Sequence, residues 1–563
     1  MNTDAFFNEL ISELKTNTLD KKQLSILKRD LCKKHKILKL PTDIEILLYA
    51  KKEDALLLKK FLITKPTRTL SGVSPVAIMT EPSSCPHGKC TMCPGGPNSF
   101  FGNVPQSYTG HEPATMRGIR ANFESYVQVF SRLEQYMLLG QVPDKVDLII
   151  MGGTFPATPH EYQEEFVTYA FKAMNDFSQL FFPNGEFDVD TFKEFFLLPR
   201  DIEDTELSKK IQEKMLAKKG KGILSEEHKK NEDAKIRCIG LTIETKPDWA
   251  FLQHGNDMLK LGCTRVEIGI QSVYDEALTI VHRGHTTEDN IKSVRELKDL
   301  GFKLNYHMML GLPTVTDREK DILGMKEIFE NADYKPDMIK IYPCMVMPGT
   351  ALFAQYKAGM FTPITTLEAA ERIAEIKKYI PTYCRVMRVQ RDIPTKVTTA
   401  GVDKTNLRQY IDKFLKEKNI ICRCIRCREA GRKLGSTQSE LVIKEYAASK
   451  GTEYFISEED TMQDTIFGFV RMRFPSQQLR PEITSDSALI RELHVYGTAV
   501  GIGEIENTKI QHKGLGKKLM AKAEEIACQN GKKKMIVISG VGVRGYYRKL
   551  GYAQEGPYMV KEL

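Results

Sequence analysis

The stretch Cys85-Pro-His-Gly-Lys-Cys90-Thr-Met-Cys93-Pro-Gly-Gly constrains this chain more than any other. Its three cysteines, in C-x4-C-x2-C spacing, stand on a segment that Pro86, Gly88, Pro94, Gly95 and Gly96 keep from continuing as helix or strand. Three thiolates on one short loop can hold three corners of an iron–sulfur cluster. Without a fourth cysteine, one iron keeps an open position for a ligand. A plant-type ferredoxin cluster shares the spacing but takes a fourth cysteine, and the next here, Cys238, lies a whole βα unit away. Zinc would need a fourth ligand or a water, with His87 at hand. Unliganded thiols are the plain alternative. The spacing favours the three-cysteine cluster.

Beyond the loop the chain becomes repetitive. From residue 75 to about 395, strands alternate with helices, the pattern of parallel βα units. Expected strands are Pro75–Met79, Val146–Met151, Ile236–Ile243, Arg265–Ile270, Lys303–Met309, Met338–Tyr342 and Arg385–Val389. The helices between include Pro113–Leu139 and His160–Met174, and a lysine-rich insertion at 178–235 interrupts the rhythm. Seven strands suit an α/β fold built on a full or partial βα barrel, whose chemistry sits at the C-terminal strand ends. Gly152-Gly153-Thr154, Glu244, Glu267 and Gln271 fall there or close by. A three-cysteine loop ahead of such units resembles the radical S-adenosylmethionine (SAM) enzymes.

The length of 563 residues predicts two to four domains, and 41% hydrophobic with 28% charged residues describes an ordinary soluble protein. No long apolar run or signal-peptide pattern is visible, so no membrane association is expected. Twelve cysteines without an export signal predict reduced thiols, metals or clusters in a cytoplasmic protein. Residues 1–70 hold 15 Lys+Arg against 9 Asp+Glu. They read as a small helical module whose basic face suits a phosphate backbone, although a solvated lysine face explains the charge equally well. The barrel is expected over 71–395.

A connector, 396–440, carries Cys422-Arg-Cys424-Ile-Arg-Cys427, dense enough for a metal and most suited to zinc, with no fourth ligand nearby in sequence. From 441 to 563 the pattern turns to β-rich segments: Leu441–Tyr446, Phe467–Phe474 and Ser487–Tyr496, then a helix to about Asn530, then strand Met535–Ser539. Gln511-His-Lys-Gly514-Leu-Gly516 opens that helix with a glycine turn, and free N–H groups at a helix start suit a pyrophosphate. With Tyr546-Tyr547-Arg-Lys-Leu-Gly-Tyr552 beyond it, this α+β segment resembles the GCN5-related N-acetyltransferases (GNAT), which bind acetyl-CoA in this way.

The combination, together with runs such as Gln106-Ser-Tyr-Thr-Gly-His-Glu-Pro, Cys263-Thr-Arg-Val-Glu-Ile-Gly-Ile-Gln and Arg491-Glu-Leu-His-Val-Tyr-Gly, resembles the catalytic subunit of Elongator, in its archaeal and bacterial form. The resemblance runs from about residue 65 to the C-terminus. Its eukaryotic members space the first two cluster cysteines further apart and lack the full Cys422/Cys424/Cys427 set, so zinc rests on the prokaryotic forms. The resemblance implies an enzyme that forms 5-carboxymethyluridine at the tRNA wobble position. A SAM-derived radical would activate the methyl of acetyl-CoA, the carbon radical would add to C5 of the uridine, and the thioester would then hydrolyse. It implies Cys85, Cys90 and Cys93 as [4Fe–4S] ligands, and Gly152, Gly153, Thr154, Glu267 and Gln271 around SAM. It implies Glu492, Leu493, His494, Val495, Leu515, Gly516, Lys517 and Tyr547 around acetyl-CoA. Lys145, Tyr546 and Tyr547 are the expected catalytic contacts, with Lys145 reaching acetyl-CoA from the barrel. Expected partners are tRNA, acetyl-CoA, an electron donor, and either a second copy or other Elongator-like subunits. A protein lysine acetyltransferase with a structural cluster is the competing reading, and a non-catalytic RNA scaffold a third.

Overall fold

The computed structural model describes residues 3–17, 19–38, 40–50, 53–54, 58, 62, 72–200, 204–430, 438–496 and 514–563. Its centre is a seven-stranded, all-parallel sheet of β1 (Ser74–Met79), β4 (Lys145–Met151), β5 (Arg237–Thr245), β6 (Arg265–Gln271), β7 (Lys303–Leu310), β8 (Met338–Pro343) and β9 (Arg385–Arg388), neighbours in that order. A small antiparallel pair, β2 (Gly96–Ser99) and β3 (Gly102–Val104), comes directly after the cysteine loop. Each parallel strand starts from the same end, so every βα turn, and the cysteine loop after β1, collects at one rim. This is the expected partial barrel. Among the inner strands, β6 is buried on both faces except at Gln271, as a parallel strand covered by helices must be.

Two expected helices end elsewhere. Pro113–Leu139 is two helices, Pro113–Arg120 and Ser125–Leu138, parted where Asn122 and Phe123 take positive φ (47° and 58°). The helix from His160 runs on to Phe181, so the insertion begins inside it. The insertion is a helical layer, with further helices Val189–Phe195, Thr205–Lys219 and Leu224–Asn231. Most of its lysines are exposed, and its phenylalanines hold it down: Phe181 meets Phe195 at 5.5 Å and Phe130 of the barrel helix at 6.0 Å between ring centroids.

The N-terminal helices α1 (Thr3–Thr16), α2 (Lys21–Lys34) and α3 (Asp43–Tyr49) share a separate apolar core around Phe6, Leu10, Leu31 and Ile46. No described helix is long and apolar enough to cross a membrane.

The C-terminal sheet runs β10 (Glu440–Ala448), β11 (Gly451–Asp460), β12 (Thr465–Phe474), β13 (Ser487–Val495), β14 (Lys534–Val537), β16 (Tyr558–Glu562), β15 (Ala553–Glu555). All pairs are antiparallel except β13 with β14. β11 is absent from the expected strands; its acids Glu453, Glu458, Glu459 and Asp460 break up the apolar pattern of a strand, yet all four are buried. Cations from other segments balance three of them. Arg473 donates to Glu453 (3.1 Å) and to Asp299 (2.7 Å), Arg428 pairs with Glu459, and Lys518 pairs with Glu458.

Further arginines join this sheet to the barrel. Arg491 donates to both oxygens of Asp337 (2.6 and 2.8 Å) and to the Phe302 carbonyl (2.7 Å). Arg471 donates to Glu492 (2.9 Å) and to the Tyr383 carbonyl (2.6 Å). Phe302 and Asp337 precede β7 and β8, so the acetyltransferase-like sheet docks on the N-terminal ends of the barrel strands, opposite the cysteine loop.

Candidate active site

The cysteine loop is built by close backbone packing. Gly95 is obligatory, since a Cβ there would lie 2.3 Å from the Tyr108 carbonyl oxygen and 2.4 Å from that of Pro105. Each cysteine of the loop has a polar neighbour. Cys85 Sγ lies 3.5 Å from Thr154 Oγ1, Cys93 Sγ accepts from the Ser107 amide (3.2 Å), and His87 Nε2 lies 3.2 Å from Cys90 Sγ. Burial pushes the Cys85 and Cys93 thiols up, a cost that bound iron would remove by taking thiolates. The three sulfurs do not all lie within 4.8 Å of one another, whereas those of Cys422, Cys424 and Cys427 do. Sulfurs around one tetrahedral zinc, with bonds of about 2.3 Å, must crowd together; sulfurs on three corners of a four-iron cube need not. The first set therefore fits a cluster and the second a single ion. At the second set, Cys424 and Cys427 sulfurs are 3.6 Å apart, and the buried Lys377 ammonium donates to Cys422 (3.4 Å).

Beside the loop, Gly152 and Gly153 take φ of 128° and 91°, and a Cβ on Gly152 would lie 2.1 Å from Thr80 Oγ1. The bare backbone at this strand end stays open to a ligand. Gln271 ends β6 at φ 65°. Glu267 is on its expected strand, but with partners the sequence does not announce. It lies in mid-strand, 2% exposed, accepting from His307 Nε2 (2.8 Å) and Asn305 Nδ2 (3.1 Å) and paired with Lys340. Those partners occupy the carboxylate, so it is not free to hold SAM hydroxyls. Glu244, one rung away on β5, accepts from Tyr108 (2.9 Å) and lies 3.7 Å from Lys340. Burial would raise the Glu267 carboxyl, but Lys340, His307 and Arg265 together hold it well below the carboxylate range. This lumen set comes from four strands, and no local motif announces it.

At the other end of the barrel, β13 parts from β14. Their last pair is Ile490 with Val537, while β13 continues to Val495. A bulge at Arg491 on the β12 side widens the parting. Beyond Ile490 the gap leaves the β14-side edge of β13 without a paired strand among the described residues, the template an extended amide chain needs. Its side chains are already engaged. Glu492 pairs with Arg471 and lies 3.7 Å from Lys303, and the His494 ring lies 4.3 Å from that of Tyr496. Backbone alone is left for a ligand at those two residues. Gln511 to Lys513 lie outside the described residues. Gly514 takes φ 77° and leads into helix Leu515–Gln529. A Cβ on Gly516 would lie 2.8 Å from Tyr546 Oη and 3.8 Å from a Leu493 methyl, so these three expected residues do meet. Tyr547 is 7% exposed within the apolar core, and Tyr546 is the one whose hydroxyl reaches the helix start. Lys145 opens β4, paired in register with Arg237, and Gly542 packs against Arg237, so Lys145 belongs to the end of the barrel that meets the C-terminal sheet. Burial lowers its ammonium.

Comparison with known proteins agrees with this architecture. Family models match for the ELP3 N-terminal domain (residues 3–70), the Radical SAM superfamily (83–325), the Radical_SAM C-terminal domain (336–417) and the Acetyltransferase (GNAT) family (425–552). The chain is 44% identical over 556 residues to a tRNA uridine(34) acetyltransferase of Methanocaldococcus infernus, covering 97% of this chain and 96% of that one. It is 39% identical over 514 residues to human Elongator complex protein 3, covering 89% and 86%. Among solved structures, archaeal Methanocaldococcus infernus Elp3 with an N-terminal deletion superposes at a TM-score of 0.71, with 39% identity over 88% of this chain and 100% of that one. A radical SAM half-barrel carrying a GNAT domain and matching these relatives along nearly its whole length belongs to the Elongator complex protein 3 family.

Proposed function

We propose that this enzyme modifies the wobble uridine of tRNA, using SAM and acetyl-CoA to form 5-carboxymethyluridine. The observation that supports the reading is that the cysteine loop lies on the C-terminal rim of one half-barrel and the open edge of β13 is docked under its N-terminal ends, two candidate ligand sites at opposite ends. Between them lies a polar lumen. Cys85, Cys90 and Cys93 would hold the [4Fe–4S] cluster, with Gly152, Gly153, Thr154 and Gln271 lining the SAM side. When bound, cluster and SAM supply a carbon-centred radical, and acetyl-CoA supplies the two-carbon unit.

The chain's own part is positioning. The β13 backbone at 492–495 would pair with pantetheine amides, and N–H groups at Leu515, Gly516 and Lys517 would take the pyrophosphate. Tyr546 would close over the helix start, and Lys145 would reach the thioester arm from the barrel. The basic N-terminal module would carry tRNA backbone, a splayed base being needed for access to the rim. Cys422, Cys424 and Cys427 would hold zinc as a structural tie between connector and barrel. Reduction of the cluster needs an external one-electron donor.

The test is an anaerobic reaction of reconstituted protein with reductant, SAM, acetyl-CoA and tRNA, the digested nucleosides read by mass spectrometry. A 5-carboxymethyluridine peak that disappears in Cys90→Ala supports the proposal. Formation of 5′-deoxyadenosine without modified uridine moves the substrate elsewhere, and acetylation of a lysine peptide by the Cys90→Ala protein returns the competing acetyltransferase reading.

A further inference from the structure

A carboxylate–imidazole pair sits midway through the barrel, and wobble-uridine modification as proposed leaves it without a task. Three observations define it. Glu267 Oε2 faces His307 Nε2 at 2.8 Å. A carboxylate only accepts, so the ring proton is on Nε2 and the lone pair on Nδ1. Nδ1 has no protein partner among the described residues, and it is not among the sealed atoms of the interior; the His307 side chain keeps 15% of its surface open.

The pair also has a fixed place along the barrel. Towards the rim, Lys340 links Glu267 to Glu244, Glu244 accepts from Tyr108, and the neighbouring Ser107 amide bonds the Cys93 sulfur. Towards the other end, Lys303, four residues before His307 on the same strand, lies 3.7 Å from Glu492 of β13. The imidazole thus stands between the strand proposed to hold pantetheine and the loop proposed to hold the cluster. A thioester whose methyl is to meet a radical made at the rim must present its carbonyl in this stretch.

We propose that His307 is the general base that activates water for cleavage of the thioester, with Glu267 as the residue that orients it. This rests on the proposed uridine-modifying function. His307 Nδ1 takes one proton from water as the oxygen bonds to the carbonyl carbon. The carbon–sulfur bond breaks, and the imidazolium returns the proton to the leaving thiolate. Water and thioester become a carboxylic acid and free thiol, with no oxidation or reduction. The titratable groups that act on the imidazole are Glu267 on β6, Glu244 on β5 and Lys340 on β8, with the Tyr342 ring of β8 5.5 Å away. Burial and Lys340 outweigh Glu267 and hold the imidazole below its ordinary range, so it is an unprotonated base at neutral pH.

The test uses the full chain in the same anaerobic reaction, with His307→Gln and Glu267→Gln beside wild type. Iron content and melting temperature establish that each variant is assembled, and Gln at 307 can still donate to Glu267. His307→Gln is expected to form 5′-deoxyadenosine while the tRNA accumulates uridine still joined to the intact CoA thioester, its cleavage slowed by about 10²–10⁴-fold, the usual worth of a general base. In Glu267→Gln the acid limb of the cleavage rate moves to lower pH, because a carboxylate that favoured the imidazolium is gone. In ¹⁵N-histidine spectra, the resonance missing from His307→Gln should be that of an Nε2–H tautomer in wild type. Carboxymethyluridine formed by His307→Gln at the wild-type rate overturns this inference alone. So does an assembled His307→Gln that makes neither 5′-deoxyadenosine nor adduct, since the histidine would then act before the thioester step. Wild-type protein that modifies no uridine overturns the proposed function and this inference with it.

Discussion

Replacing Asp337 by asparagine should unsettle the joint between barrel and acetyltransferase domain. The Asp337 carboxylate is buried and accepts three hydrogen bonds: two from Arg491, at 2.6 and 2.8 Å, and one from the Leu304 amide at 2.9 Å. Arg471 Nη1 lies 3.7 Å away. Burial alone would raise this carboxyl, and Arg491 and Arg471 outweigh it and hold it below the usual range. Asparagine keeps the shape and removes the charge. Arg491 and Arg471 then share only Glu453 and Glu492, and an amide N–H₂ is turned against a guanidinium. Charge-assisted hydrogen bonds contribute ~1.5–3 kcal/mol each, and removing one partner of a buried ion pair costs ~3–5 kcal/mol. A domain's whole stability is ~5–15 kcal/mol. Urea unfolding of Asp337→Asn should therefore show a loss of about 3–5 kcal/mol, with the two domains becoming separately susceptible to proteolysis. The double variant Asp337→Leu/Arg491→Met, which removes both charges, should recover a large part of it. A loss under about 1 kcal/mol for Asp337→Asn would refute the claim that these buried charges hold the joint.

Four further outcomes rest on the same geometry. The triple change Cys85/Cys90/Cys93→Ala should abolish iron binding and uridine modification yet melt within a few degrees of wild type, because the barrel core does not rest on that loop; iron analysis and calorimetry check it. Gly95→Ala forces a methyl to 2.3 Å from the Tyr108 carbonyl and should cost ~1–3 kcal/mol by overpacking, read as loss of iron loading before loss of fold. Gly516→Ala places its methyl 2.8 Å from Tyr546 Oη and should weaken acetyl-CoA binding by about tenfold, ~1.4 kcal/mol, in calorimetric titration, leaving SAM binding untouched. Glu492 has its carboxyl brought down to about 2 by Lys303 and Arg471 against the opposing effect of burial. Its contribution is thus complete above its unfolded value near 4.5 and lost as pH falls from there towards 2. Melting temperatures of wild type and Glu492→Gln should therefore converge through that window and differ above it.

How much could be read without coordinates depended on whether a feature is local. The cysteine loop was legible because its cysteines and helix-breaking residues lie within one short stretch. The parallel strands were legible because strands covered on both faces are short apolar runs between helical periods. β11 was not, because its buried glutamates are neutralised by Arg473, Arg428 and Lys518 from other segments, and a strand of glutamates reads as surface until those cations are placed. The insertion at 178–235 read as a lysine-rich interruption because charge dominates its composition, while the phenylalanines that anchor it pair across separate helices. Tyr547 is the acetyl-CoA contact expected from the sequence, with Tyr546 beside it; only the turn of their short helix sends the Tyr547 ring into the core and Tyr546 over Gly516.

Chemical identity, by contrast, was written along the chain: the three thiols, the glycine-marked turns, the order of barrel and acetyltransferase segments, and the resemblance those carried. Tertiary structure decided which charged groups work and which bind the body together. Glu267, a SAM partner by position in its motif, is committed to Lys340 and His307. His307 and Lys340, unremarkable in their strands, meet it because parallel register sets successive strands side by side. A carboxylate's role depends on what desolvates it and what charge stands within a few ångströms, and in a sheet assembled from segments tens of residues apart, that is settled only when the sheet closes.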